Sequence, residues 1–94
     1  MALKTLTYEV FGRVQGVCFR HYTCSKAKEL GLVGYVRNTS SGTVEGVAQG
    51  EESQIIKFSQ WLKTEGSPSC RIERCNQQFQ ETDKYDYDTF QQRK

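Results

Sequence analysis

Hydrophobic and polar positions change period along this chain, and the changes mark its elements. From Leu6 to Gly12, Leu6, Tyr8 and Val10 alternate with Thr7, Glu9 and Phe11, which predicts a strand. From Phe19 to Leu30 the period lengthens. Phe19, Tyr22, Thr23, Ala27 and Leu30 fall on one side of a helix, with Lys26, Lys28 and Glu29 mostly outside. Gly31 follows as a C-terminal cap. Gly34–Asn38 is a short strand, Thr39–Gly42 a turn cluster and Thr43–Gln49 the returning arm of a hairpin. Gly46 inside that arm marks a bulge or the close approach of a helix, and Gly50 ends the strand. Glu51–Glu65 is a second helix. Glu51 and Glu52 suit its positive end, Ile55, Phe58 and Leu62 form its apolar stripe with Trp61 beside it, and Gly66-Ser67-Pro68 stops it. Cys70–Phe79 reads as a strand and Glu81–Asp88 as a polar turn anchored by Tyr85 and Tyr87. Thr89–Gln92 is a final edge strand.

The order βαββαβ, with one further strand, predicts an α+β fold. It is a ferredoxin-like α/β sandwich in which an antiparallel sheet of four to five strands carries both helices on one face. Ninety-four residues fit a single domain, 1–94, with one thin core, since a chain this short buries only about 60–65% of its unfolded surface.

Composition narrows the function by exclusion. Thirteen basic and 11 acidic residues leave a formal charge of +2, too balanced to argue for nucleic acid or an anionic membrane. Any selectivity for an anion must therefore be local. No apolar run approaches the roughly 18 residues of a membrane helix. The opening MALKTLTYEV lacks the apolar stretch of a secretory signal, so the expectation is a cytoplasmic protein. On that footing Cys18, Cys24, Cys70 and Cys75 are read as free thiols. No pair has C-x-x-C spacing and His21 is the sole histidine, so no metal site and no cofactor are expected.

GRVQGVCFR, Gly12–Arg20, is the stretch that bears chemistry. The chain leaves a strand, crosses two glycines four residues apart and enters a helix. Backbone N–H groups at such a junction have no partner within the helix; converging, they cradle an anion, helped by the helix dipole. Glycine allows the curvature and the close approach, and the Arg20 guanidinium can fork two oxygens of one phosphate. A simple chain reversal explains the same glycines. A P-loop is excluded because no Lys-Ser/Thr follows the second glycine, and a dinucleotide fingerprint because G-x-G-x-x-G is absent. A cysteine phosphatase loop is excluded too: Arg20 stands only two residues after Cys18, and Leu30, Asn76 and Glu81 stand six after the other three cysteines. His21 has no Ser or Asp placed for a triad and is read as structural. Asn38, ending a strand at the turn, is either a hairpin residue or, if the turn shares an end of the sheet with the loop, an amide able to hold a water. Arg37, one step back in the alternation, points to the other face.

Four segments resemble acylphosphatases in order and spacing: GRVQGVCFR, Ala27–Asn38 with LGLVGYVRN, GTVEGVAQG at Gly42–Gly50, and GSP at Gly66–Pro68. The resemblance covers about residues 6–92, and its most specific element is G-x-V-Q-G-V-x-F-R with V-R-N-T after it. It implies hydrolysis of the carboxyl-phosphate bond without metal or cofactor. It also implies that Arg20 binds phosphate and Asn38 positions water. The N–H groups of Gln15, Gly16, Val17, Cys18, Phe19 and Arg20 would form the phosphate cradle, and Thr39 would support the water site. The implied partners are a small acyl phosphate and inorganic phosphate, the latter as product and competitive inhibitor; from the balanced charge no nucleic acid or membrane partner is expected, and the modest charge and small size point to a monomer. The alternative class is a non-catalytic ferredoxin-like module binding an anion or RNA. RNA recognition motifs place aromatics on the strand occupied here by TVEGVAQ, which has none.

Overall fold

The computed structural model describes residues 3–14, 19–64 and 71–93. Seven elements follow in order: β1 (Leu3–Arg13), α1 (Phe19–Glu29), β2 (Val33–Asn38), β3 (Val44–Glu51), α2 (Glu52–Thr64), β4 (Arg71–Thr82) and β5 (Phe90–Arg93). The strands form one sheet in the order β4-β1-β3-β2-β5. The first four are antiparallel, as expected of a ferredoxin-like sandwich; β5 joins β2 in parallel, which makes the sheet mixed.

The alternation read from β1 holds. Leu6, Tyr8 and Val10 are buried beneath the helices with Val36, Val44 and Ala48 from the neighbouring strands. From α1 come Phe19, Thr23 and Ala27, and from α2 Ile55, Phe58, Trp61 and Leu62. Aromatic rings join the two layers: Phe19 stacks on Trp61 at 6.1 Å, Trp61 on Phe58 at 6.2 Å, and Phe90 of β5 meets Phe58 edge-on. Tyr22, read as part of the α1 stripe, is exposed instead. It sits at the margin of the apolar arc and rests edge-on against His21. The cap after α1 forms as expected, with Leu32 N–H donating to Ala27 O and Gly31 N–H to Lys28 O.

Gly46 answers to a close approach, though not of a helix. It lies opposite Tyr8 in the β1–β3 register, and the Tyr8 ring crosses over it so that the hydroxyl donates to Tyr35 O of β2 at 3.0 Å. A Cβ at Gly46 would collide with Tyr35 O and the Tyr8 hydroxyl. Strand β3 does not stop at Gly50, because Lys4 and Leu3 of β1 supply partners for Gly50 and Glu51. The turn cluster at 81–88 becomes a crossover. Strand β4 lies at one edge of the sheet and β5 at the other, so the chain must traverse three strands to reach its place. Gln49, fully buried on β3, pins it: its amide donates to Thr5 Oγ1 and Asp86 Oδ2, and its carbonyl accepts from Asp86 N–H at 2.7 Å. Tyr87 then packs on Tyr35 at 5.9 Å, as an anchor should, whereas Tyr85 is about half exposed.

Candidate active site

Strand directions bring the expected residues to one end of the molecule. Strands β1, β2 and β5 run the same way, since β3 is antiparallel to β1 and β2 and β5 is parallel to β2. Arg13 at the end of β1, Asn38 at the end of β2, the 39–43 turn and Arg93 at the end of β5 therefore share one end of the sheet. Helix α1 begins there as well. Near the exit from β1 a bulge interrupts the β1–β4 ladder between Phe11 and Gly12, and Gly12 has φ 129°, a conformation open to glycine and costly for other residues.

Of the expected cradle, Gln15, Gly16, Val17 and Cys18 lie outside the described residues. Phe19 and Arg20 open α1 with divided roles. The Phe19 ring is buried against Trp61, which anchors the first turn of the helix. Arg20, partly buried, reaches across the end of the sheet and donates from Nη1 to Arg93 O at 2.6 Å. Among the described residues one N–H of its five is engaged, which leaves donors of the fork for an oxyanion. Arg93 is held in turn by its own side chain, whose guanidinium lies 4.2 Å over the Tyr35 ring. In the parallel register Arg93 pairs with Arg37, the residue before Asn38. The Arg20 tether thus ends on the strand beside the one that carries Asn38.

Asn38 pairs with the buried Val44 and by alternation shares the helix-side face with Val36. Its Oδ1 is buried and has no partner among the described residues. Thr23 Oγ1 and Gln54 Oε1 are in the same condition, but Thr23 is interior to α1 and Gln54 lies in the first turn of α2, at the opposite end. Arg37 faces the other side, as expected, and pairs with Glu45 through Nε at 2.7 Å. Thr39 Oγ1 accepts from the N–H groups of Ser41 and Thr43 and shares a 2.6 Å hydrogen bond with Thr43 Oγ1. Thr43 Oγ1 donates to Glu9 Oε2 at 2.6 Å.

Two raised pKa values belong to the core. Burial pushes the Tyr8 phenol well above its ordinary value, with Tyr35 and the Cys75 and Cys24 thiols adding to the effect. Burial also raises Cys75, opposed by its hydrogen bond from Gln77 and by Lys63. Cys24 and Cys75 are both free thiols. Among the described residues no three His, Cys, Asp or Glu side chains gather as metal ligands, and no helix is long and apolar enough to cross a membrane.

Known proteins match the chain in sequence and in fold. The family model described as Acylphosphatase matches residues 6–92. The chain belongs to the acylphosphatase family. Acylphosphatase-2 of Anas platyrhynchos is 53% identical over 93 residues, spanning 98% of this chain and 90% of the relative. An acylphosphatase structure from Coxiella burnetii superposes with a TM-score of 0.86 at 39% identity, covering 98% of this chain and 94% of that one. The acylphosphatase of Bacillus subtilis superposes with a TM-score of 0.89 at 28% identity, covering 97% and 99%. Acylphosphatase membership decides between the two classes left open by the sequence: the chain is an enzyme that hydrolyses acyl phosphates rather than a non-catalytic module. Sequence reasoning did not reach the Arg20–Arg93 bond, the Tyr35–Arg93 contact or the link from Glu9 to the turn. Each joins residues far apart in the chain and leaves no local pattern.

Proposed function

We propose that Arg20 and the N–H groups of Gln15–Arg20 hold the phosphoryl group while the Asn38 side chain aims a water for in-line attack on phosphorus. The observation that carries this reading is the Asn38 carboxamide: a buried acceptor, without a partner among the described residues, at the end of the sheet where Arg20 is tethered. A buried acceptor left unmet costs about 1–3 kcal/mol. A water donating to Oδ1 meets it and is thereby oriented.

The chemistry needs no more than this. The leaving group is a carboxylate of pKa about 4 if it resembles Asp or Glu, so it departs without protonation and no general acid is required. The transition state is loose, with charge spread over the equatorial oxygens, so positioning and electrostatics do most of the work. Main-chain N–H groups and a guanidinium supply that stabilisation without reorganising. Water adds to phosphorus as the P–O bond to the acyl group breaks. Its proton passes to a phosphoryl oxygen late in the reaction, which dispenses with a strong base. Thr39 supports the water site by shaping the turn. The substrate class is a small acyl phosphate, and inorganic phosphate is product and competitive inhibitor.

The test is hydrolysis of benzoyl phosphate by Arg20→Lys, with inhibition by inorganic phosphate measured alongside. An ammonium cannot fork two oxygens, so phosphate inhibition weakens markedly. Inhibition equal to wild type removes Arg20 from the phosphate site.

A further inference from the structure

We infer that Arg74 is a specificity residue that receives a second anionic group, carried on the acyl part of the substrate; this rests on the roles proposed above for the cradle and Asn38. All the arginines of the chain stand at the end of the sheet that carries the site. Arg13, Arg37 and Arg93 close strands that run towards it, Arg20 opens α1 there, and Arg71 and Arg74 begin β4, which runs away from it. A formal charge of only +2 is thus spread unevenly. Arg20 donates to Arg93 O, and Arg37 is paired with Glu45. Arg74 has a different setting. It is exposed, and its guanidinium lies 4.2 Å from the centre of the ring of Phe11, its cross-strand partner on β1. Among the described residues no hydrogen bond or ion pair engages it. The ring holds the guanidinium in place while its planar fork keeps its donors for a ligand. Glu73, which the bulge leaves without a cross-strand partner, is exposed and forms no ion pair with it among the described residues. Two residues nearer the cradle, the register sets Arg13 directly opposite Arg71. Like charges opposite each other across a ladder oppose stability, a cost expected where function requires it.

The direction of departure brings the acyl group to this corner. In-line displacement puts the entering water and the leaving oxygen on opposite sides of phosphorus. Asn38, which aims the water, ends β2, whereas the cradle follows β1, and β3 lies between these strands in the sheet. The water therefore arrives from the β2 side, and the acyl oxygen leaves on the side of the other neighbour of β1, which is β4. Phe11 precedes the start of the cradle at Gln15 by a stretch of chain that spans at most about 14 Å. An acyl group with a carboxylate at its far end bridges most of that distance to the guanidinium above Phe11. There the carboxylate meets a planar fork that binds two oxygens in parallel, which an ammonium cannot do. The clustered arginines also raise the local concentration of anions. The preferred substrates are therefore acyl phosphates whose acyl part carries a negative charge of its own.

The experiment compares kcat/KM for 4-carboxybenzoyl phosphate with kcat/KM for 4-carbamoylbenzoyl phosphate, its neutral isostere, in wild type and Arg74→Gln. The intrinsic reactivity of each substrate cancels when the ratio of the two is compared between enzymes. Arg74→Gln lowers the ratio about fivefold, the upper range for an exposed ion pair. The change sits in KM for the carboxylate, because the contact is the same before and during the reaction. In wild type the ratio also falls as salt is raised to about 0.5 M, which screens an exposed pair. A ratio equal in wild type and Arg74→Gln overturns the inference, including the case in which both substrates slow together, the mark of a merely structural role. Should Arg74→Gln not fold, Arg74→Lys keeps the charge without the fork and lowers the ratio about two- to threefold; a wild-type ratio there contradicts the inference. If Asn38→Ala turns over at the wild-type rate, it is the water reading that fails, and the ratio in Arg74→Gln still decides whether Arg74 meets the acyl group.

Discussion

The guanidinium of Arg20, at the start of α1, donates to the main-chain oxygen of Arg93, at the end of β5, across 73 residues of sequence. The start of α1 and the end of β5 thus meet at one end of the sheet, and the orientation of Arg20 depends on how firmly β5 lies against β2. Tyr35 supplies part of that grip, through the Arg93 guanidinium above its ring and Tyr87 beside it. Tyr35→Ala is expected to raise KM and weaken phosphate inhibition, because Arg20 loses a fixed anchor, with a smaller effect on kcat. Phosphate inhibition titrated against benzoyl phosphate reads this out. Unchanged inhibition would detach the strand from phosphate binding.

Replacing Gly46 by alanine forces a methyl group into the space crossed by the Tyr8 ring. The expected loss is about 1–3 kcal/mol, the usual cost of overpacking a well-filled core. Urea unfolding gives the value directly. A wild-type midpoint would mean that the Tyr8–Tyr35 bridge moves aside without strain.

Alkali tests the same tyrosine by titration. Burial raises the Tyr8 phenol above its ordinary value of 10.0, so the folded protein keeps a proton that the unfolded chain releases. Its contribution is fully present below the unfolded value and declines as pH rises from there towards the folded one. Cys75, raised from 9.0, adds a loss with the same sign beginning lower. Urea midpoints measured from about pH 8 to 11 should fall above about pH 9, and Tyr8→Phe should flatten the upper part of that decline.

Much of this architecture is legible along the chain because its determinants are local. Leu6, Tyr8 and Val10 declare the buried face of β1 by alternation, and Gly31 declares the end of α1 by its place after Leu30. Legibility fails where the decision belongs to a distant partner. Tyr22 satisfies the helical period, yet the arc that meets the sheet is narrower than the period alone implies. The parallel placement of β5 depends on Gln49 meeting Asp86, and neither residue carries a pattern that announces the other. At the site, the motif marks Arg20 and Asn38 as candidates. The tether that steadies Arg20 and the carboxylate behind the turn emerge only when β1, β3 and β5 are laid side by side.

The central claim is that the Asn38 carboxamide aims the attacking water, and kcat for benzoyl phosphate in Asn38→Ala tests it most directly. The account predicts a fall of about 10²–10³, the scale of losing one preorganised polar group, with phosphate inhibition and the urea midpoint close to wild type. Turnover at the wild-type rate in a folded Asn38→Ala enzyme would contradict it.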